Sequence, residues 1–231
     1  MTFVLALATA DYGLLATDTR SFARGQFRDG LAPKLRELLP GRAWGAGTGM
    51  QQWTSAALDL IADRPRYEFG ALAEALRQLA ATPEIQDLVA RRTPEERALL
   101  EGWAQSRATR DGLQTGTLGK LVLVHRNAAG YGCATIDDAG IVQQYPRGQL
   151  HVSTPPGLDP VAVRARVMAT WPALPRGRDE AIRRAAELVL WSCAQTEYMS
   201  AALEAVYLSP ARAVHVGPAP AADFFNARVP A

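Results

Sequence analysis

Thr2-Phe3-Val4-Leu5-Ala6-Leu7-Ala8-Thr9-Ala10-Asp11-Tyr12-Gly13-Leu14-Leu15-Ala16-Thr17-Asp18 holds two short aliphatic runs on either side of Ala10-Asp11-Tyr12-Gly13. Runs of this length flanking Asp and Gly predict two strands and a hairpin, the glycine serving where the turn needs a positive φ. Folding the second run onto the first brings residues 2 and 18 to one end of the hairpin, so the Asp18 carboxylate approaches the start of the first strand. Thr2 also carries a chemical signal. A small residue after the initiator methionine permits removal of Met1, which would leave a hydroxyl and a free α-amine on one residue. An α-amine with an unperturbed pKa of about 7.7–8 accepts a proton near neutrality, which an amide does not, so nucleophile and base would share one residue.

Lys34, in Gly30-Leu31-Ala32-Pro33-Lys34, adds a cation that would favour an ionised hydroxyl in a transition state. Taken singly, a second-position Thr is commonplace, an Asp at a strand end is usually a turn former, and a Lys after Pro is usually solvated. The spacing of the three together is what gives them weight.

Outward from this region, Met50 to Ala62 has apolar residues at helical spacing (Trp53, Ala56, Ala57, Leu60, Ile61), and Phe69 to Leu79 places Leu72, Leu76 and Leu79 on one face. Thr82-Pro83-Glu84 and Thr93-Pro94-Glu95-Glu96 each predict a helix start: a Thr cap, Pro at the first helical position and acid in the first turn. Leu99, Leu100 and Trp103 give the second of these helices an apolar packing stripe. From Leu118 the period changes. Residues 121–125, 130–136 and 141–145 predict three antiparallel strands joined by Asn127-Ala128-Ala129-Gly130 and Asp137-Asp138-Ala139-Gly140, and so imply a second sheet. Asp159-Pro160 caps a helix to about Thr170, and residues 178–194 form a longer one with Ile182, Ala185, Ala186, Val189, Leu190 and Cys193 on one face. Strands over 203–208 and 211–216 and a Pro/Ala-rich tail close an α/β (α+β) order of two antiparallel sheets between helix layers.

With 231 residues and 48% hydrophobic content, the chain can bury the core of one domain. Lys+Arg of 25 against Asp+Glu of 23 leaves a net charge of only +2 without a block of five like charges, which argues against a nucleic-acid partner. No apolar run reaches 18 residues and no charged leader precedes the first run, so a cytoplasmic protein without a membrane partner is expected. Cys133 and Cys193 sit in apolar contexts that predict buried reduced thiols. His125, His151 and His215 lack ligand spacing, which argues against zinc, and no phosphate-binding glycine loop or Gly-x-Ser-x-Gly elbow occurs.

Thr2, Asp18 sixteen residues on, Arg20 two beyond it and Lys34 sixteen after Asp18 resemble the β-type subunits of the proteasome and the related bacterial two-component protease. Ala43-Trp44-Gly45-Ala46-Gly47 resembles that family's third strand and the Ala-Gly turn after it, which implies the Gly47 N–H as oxyanion donor, with a register open by one or two positions through Thr48-Gly49. Thr196-Glu197-Tyr198-Met199-Ser200 is similar to the family segment in which an Asp and a Ser three apart support the nucleophile. Here the acid is Glu197, one methylene longer, while Ser200 fits the pattern. In place of the family's Gly-Ser-Gly stands His151-Val152-Ser153-Thr154-Pro155-Pro156-Gly157, which leaves Ser153 as the candidate supporting serine in a turn stiffened by proline.

The resemblance covers roughly residues 2–80 and 117–217. It implies a single Ntn-hydrolase domain over residues 1–231, a four-layer α-β-β-α sandwich and a helical insertion at about 82–116. It further implies a cofactor-independent threonine-type peptidase that acts through an acyl-enzyme on peptide or unfolded protein, in a homo-oligomeric ring with an ATPase as candidate partner. Two alternatives stand beside it: a catalytically silent subunit of the same fold, and a small-amide acylase.

Overall fold

The computed structural model describes residues 2–23, 26–28, 33–62, 68–111 and 116–226. The opening hairpin is formed by β1 (Val4–Ala8) and β2 (Gly13–Asp18), with Val4 opposite Thr17 and Ala8 opposite Gly13. Both strands are buried along their whole length, which explains why their sequences are continuous aliphatic runs rather than alternating ones. A small hairpin, β3 (Ser21–Ala23) and β4 (Gln26–Arg28), follows, and then β5 (Leu35–Leu39) and β6 (Ala43–Gly49).

Four helices come next: α1 (Gln51–Ala62), α2 (Phe69–Ala80), α3 (Pro83–Ala90) and α4 (Pro94–Asp111). The anticipated meander is β7 (Gly119–Asn127), β8 (Gly130–Asp137) and β9 (Val142–Tyr145), turning at Gly130 and Gly140, both with positive φ. The chain then forms β10 (Leu150–Ser153), α5 (Pro160–Thr170), α6 (Arg178–Cys193), β11 (Ala202–Leu208), β12 (Ala213–Pro220) and the short α7 (Asp223–Asn226).

These strands make two antiparallel five-stranded sheets, ordered β10-β1-β2-β11-β12 and β5-β6-β7-β8-β9, so the fold is α+β. Buried apolar residues gather in three clusters. One lies between the sheets and is built from Val4, Ala6, Ala8, Leu15, Trp44, Ala46, Val122, Val124, Cys133, Val206 and Leu208. A second joins the other face of the first sheet (Phe3, Leu5, Leu14, Leu203) to α6 through Ile182, Ala185, Ala186 and Val189. The third joins Leu121, Leu123 and Ile136 of the second sheet to α1 and α2 through Trp53, Ile61, Leu72 and Leu76. Far along β7, the Arg126 guanidinium donates to the carbonyls of Ser209 (3.0 Å) and Pro210 (2.8 Å) between β11 and β12, a polar tie from one sheet to the other.

Helix starts follow the sequence in two cases of three. Asp159 accepts from the Val161 amide at 2.9 Å, and Thr93 with Glu96 forms a reciprocal capping box. Thr82 occupies the cap position of α3 without capping it: its hydroxyl donates to the Leu79 carbonyl of the preceding helix instead. Three local expectations are corrected. Ala46-Gly47 is not a turn, because β6 continues to Gly49. Ser153 ends strand β10 opposite Val4 rather than sitting in a turn. The last strand begins at Ala213 and runs to Pro220 rather than over 211–216. The Trp103 side chain of the expected α4 stripe lies outside the described residues, while Leu100 is buried. No helix among the described residues is long and apolar enough to cross a membrane.

Candidate active site

The open end of the hairpin puts Thr2 and Asp18 side by side. Phe3 N donates to Asp18 Oδ1 at 2.8 Å, and the Asp18 amide returns a bond to the Phe3 carbonyl at 3.3 Å. Asp18 is fully buried, and its other oxygen accepts from Arg20 N at 3.0 Å and Ser200 N at 3.4 Å. Both oxygens of this buried carboxylate are thus engaged by backbone donors.

Lys34 enters from the segment ahead of β5. Its amine donates to Thr2 Oγ1 at 3.1 Å and to the Arg20 carbonyl, and it lies 3.6 Å from Asp18 Oδ1. With side-chain exposure of only 15%, burial holds its pKa below the ordinary lysine range, while the Asp18 and Glu204 carboxylates pull the other way. A cation donating to a hydroxyl favours the ionised form of that oxygen.

Thr48, on β6, completes the surroundings of Thr2: its hydroxyl accepts from Thr2 N at 3.4 Å and donates to Thr2 O at 3.2 Å. Ser200 holds the next turn, accepting from Thr19 N at 3.1 Å and sharing a 3.0 Å bond with the Thr19 hydroxyl. Thr2, Thr19, Lys34 and Gly47 all line one cavity of about 470 Å³, roomy enough for a substrate side chain beside the hydroxyl. Gly47 lies one position beyond Ala46, where the pairing of β5 with β6 stops at Leu35. A Cβ at Gly47 would come within 2.4 Å of the Thr54 Cβ, so this edge of the cavity can be approached only by bare backbone.

Five of the seven expected site residues therefore gather at the hairpin end: Thr2, Asp18, Lys34, Gly47 and Ser200. The other two are engaged differently. Ser153 is buried and its hydroxyl bonds His151 Nε2 at 3.1 Å. Glu197 is exposed, and it is its backbone carbonyl that receives the Arg20 guanidinium.

Sequence reasoning missed Thr48, Thr19 and a buried polar group beneath Lys34. Glu204, fully buried on β11, accepts from the amides of Lys34 (2.5 Å) and Leu35 (3.0 Å) with one oxygen and from His215 Nε2 (2.8 Å) with the other. The signal was a carboxylate in the middle of the apolar run Leu203-Glu204-Ala205-Val206, which cannot be buried without partners. A further signal was composition: of 25 basic residues only Lys34 and Lys120 are lysines, and both are buried or nearly so. The chain matches no protein-family model and no curated protein.

Proposed function

We propose that this chain is an N-terminal-threonine hydrolase acting on peptide bonds. The observation that carries the reading is the 3.1 Å contact between Lys34 Nζ and Thr2 Oγ1 inside a cavity, with the lysine held by buried Asp18. With Met1 attached, Thr2 N is an amide; its removal would free an amine that relays the proton taken from the hydroxyl. Thr2 Oγ1 then attacks the scissile carbonyl as that amine takes the hydroxyl proton, the Lys34 cation beside the hydroxyl favours its ionised form, and the protonated amine delivers the proton to the leaving nitrogen. Backbone N–H groups near Gly47 receive the oxyanion. Water subsequently hydrolyses the acyl-enzyme by the reverse proton path.

The four-layer order of helix, sheet, sheet and helix belongs to the same reading, and the three apolar clusters support it. So do a single domain with residues 82–116 as a helical insertion, and cytoplasmic ring assembly with an ATPase partner, which rest on the sequence resemblance alone. A second reading, a silent subunit of this fold, is favoured by one observation: Glu197 is exposed and the Ser153 hydroxyl is bonded to His151. Intact mass and a peptide assay separate the two. The hydrolase must lack Met1, cleave a fluorogenic peptide and lose that activity in Thr2→Ala. Retention of Met1, or equal turnover by Thr2→Ala, refutes it. Cleavage of simple acyl amides without peptides would identify an acylase.

A further inference from the structure

Lys34 does not sit on a regular strand. It precedes β5, directly after Pro33. Its side-chain amine nevertheless meets a defined set of oxygens, donating to Thr2 Oγ1 and the Arg20 carbonyl beside Asp18 Oδ1. A four-carbon side chain reaches one target repeatedly only when its backbone is held, because each free rotor spreads its end over several ångströms. The holding group comes from the other sheet. Glu204 Oε2 gathers the consecutive amides of Lys34 and Leu35 into one carboxylate oxygen, while Oε1 is occupied by His215 from the neighbouring strand β12. His215 itself lies against Trp44, tilted by 32° with 5.0 Å between ring centres, which limits its rotation.

We infer that Glu204 is a positioning residue for the site: its buried carboxylate, braced by His215, fixes the Lys34–Leu35 backbone so that the Lys34 amine meets Thr2 Oγ1. This rests on the reading of Thr2 as nucleophile and Lys34 as the cation beside it. Glu204 touches neither of their reacting atoms. A neutral hydrophobic strand position would have packed β11 equally well, so the carboxylate is retained against a desolvation cost that only its three donors offset. The charged groups facing the Lys34 amine are Asp18 from β2 and Glu204 from β11, with His215 behind Glu204 and Arg36 and Glu37 farther along the cavity wall.

The test uses the full chain with lysine labelled at 13Cε, where Lys34 and Lys120 give the only two lysine signals. Lys34→Arg assigns them. In Glu204→Gln one amide oxygen replaces two anionic ones, so kcat for a fluorogenic peptide should fall about 10- to 100-fold with KM within about twofold. The Lys34 titration midpoint should move down, because a neighbouring negative charge is gone. Glu204→Asp, which restores the charge, should return the midpoint toward the parent value. His215→Ala, which spares the carboxylate but removes its brace, should lower kcat severalfold and carries the same test if Glu204→Gln does not fold. Parent-like kcat together with an unmoved Lys34 midpoint in Glu204→Gln, or in His215→Ala should that be the folded variant, overturns the inference. The midpoint is read without substrate, so an inactive parent chain would sink the hydrolase reading while still deciding whether Glu204 governs Lys34.

Discussion

Replacing Asp18 by alanine removes one carboxylate and strands several donors at once. Its oxygens accept from Phe3 N at 2.8 Å and Arg20 N at 3.0 Å, and the Lys34 ammonium is 3.6 Å away. The longer bond from Ser200, at 3.4 Å, adds little. Breaking a buried ion pair from one side costs about 3–5 kcal/mol, most of it the penalty of an uncompensated charge, and the two short amide bonds fall within the same loss rather than adding fully to it. We therefore expect Asp18→Ala to destabilise the fold by about 4 kcal/mol. With a urea m-value near the upper end for single domains, about 3 kcal/mol/M, the unfolding midpoint should drop by about 1.3 M. The cycle with Lys34→Met isolates the charge. Removing both partners should recover about 1–3 kcal/mol relative to the sum of the single losses. A midpoint shift under about 0.3 M for Asp18→Ala, or strict additivity in the cycle, would refute the claim that Asp18 holds a buried cation.

Glu197→Gln should leave kcat/KM within about twofold in the peptide assay, since the carboxylate is exposed and only its backbone carbonyl is engaged; a loss beyond tenfold would return Glu197 to the site. Gly47→Ala should cost about 1–3 kcal/mol in urea unfolding and distort the cavity edge, because the new methyl would lie 2.4 Å from the Thr54 Cβ. Lys34 releases its proton at lower pH in the folded chain than in the unfolded one, as burial depresses its pKa against the opposing pull of Asp18 and Glu204. Between those two values the unfolded chain binds more protons, so stability should rise with pH there, and Lys34→Met should flatten that rise in urea midpoints measured across the alkaline range.

The hairpin, both helix pairs and the β7–β9 meander were legible because each writes its period or its turn residues into a contiguous stretch. Asp18 was legible for the same reason: antiparallel pairing fixes what lies beside Thr2 once the turn is located. β5 and β10 were not, since Leu35-Arg36-Glu37-Leu38-Leu39 and Leu150-His151-Val152-Ser153 are short strands whose identity comes from pairing with β6 and β1. Glu197 and Ser153 were proposed from spacing alone, which carries no information on which way a side chain points; the one is exposed and the other bonds His151. Thr48 and Glu204 escaped because their roles arise across sheets, between residues separated by 46 and 170 positions.

The cluster between the sheets draws seven of its thirteen buried residues from alanine and valine, beside the larger Trp44 and Tyr131. Arg126 at one end and Glu204 at the other join the two sheets by directional bonds that a slide of one strand residue, about 3.4 Å, would sever. Alignment of the two sheets is thus held in part by these two polar fasteners, with the Thr48–Thr2 bonds as a third tie beside them. The chain can accept drift in its inner hydrophobic residues far more readily than at these two positions, and loss of either fastener would show first as a misaligned cavity rather than as an unfolded protein.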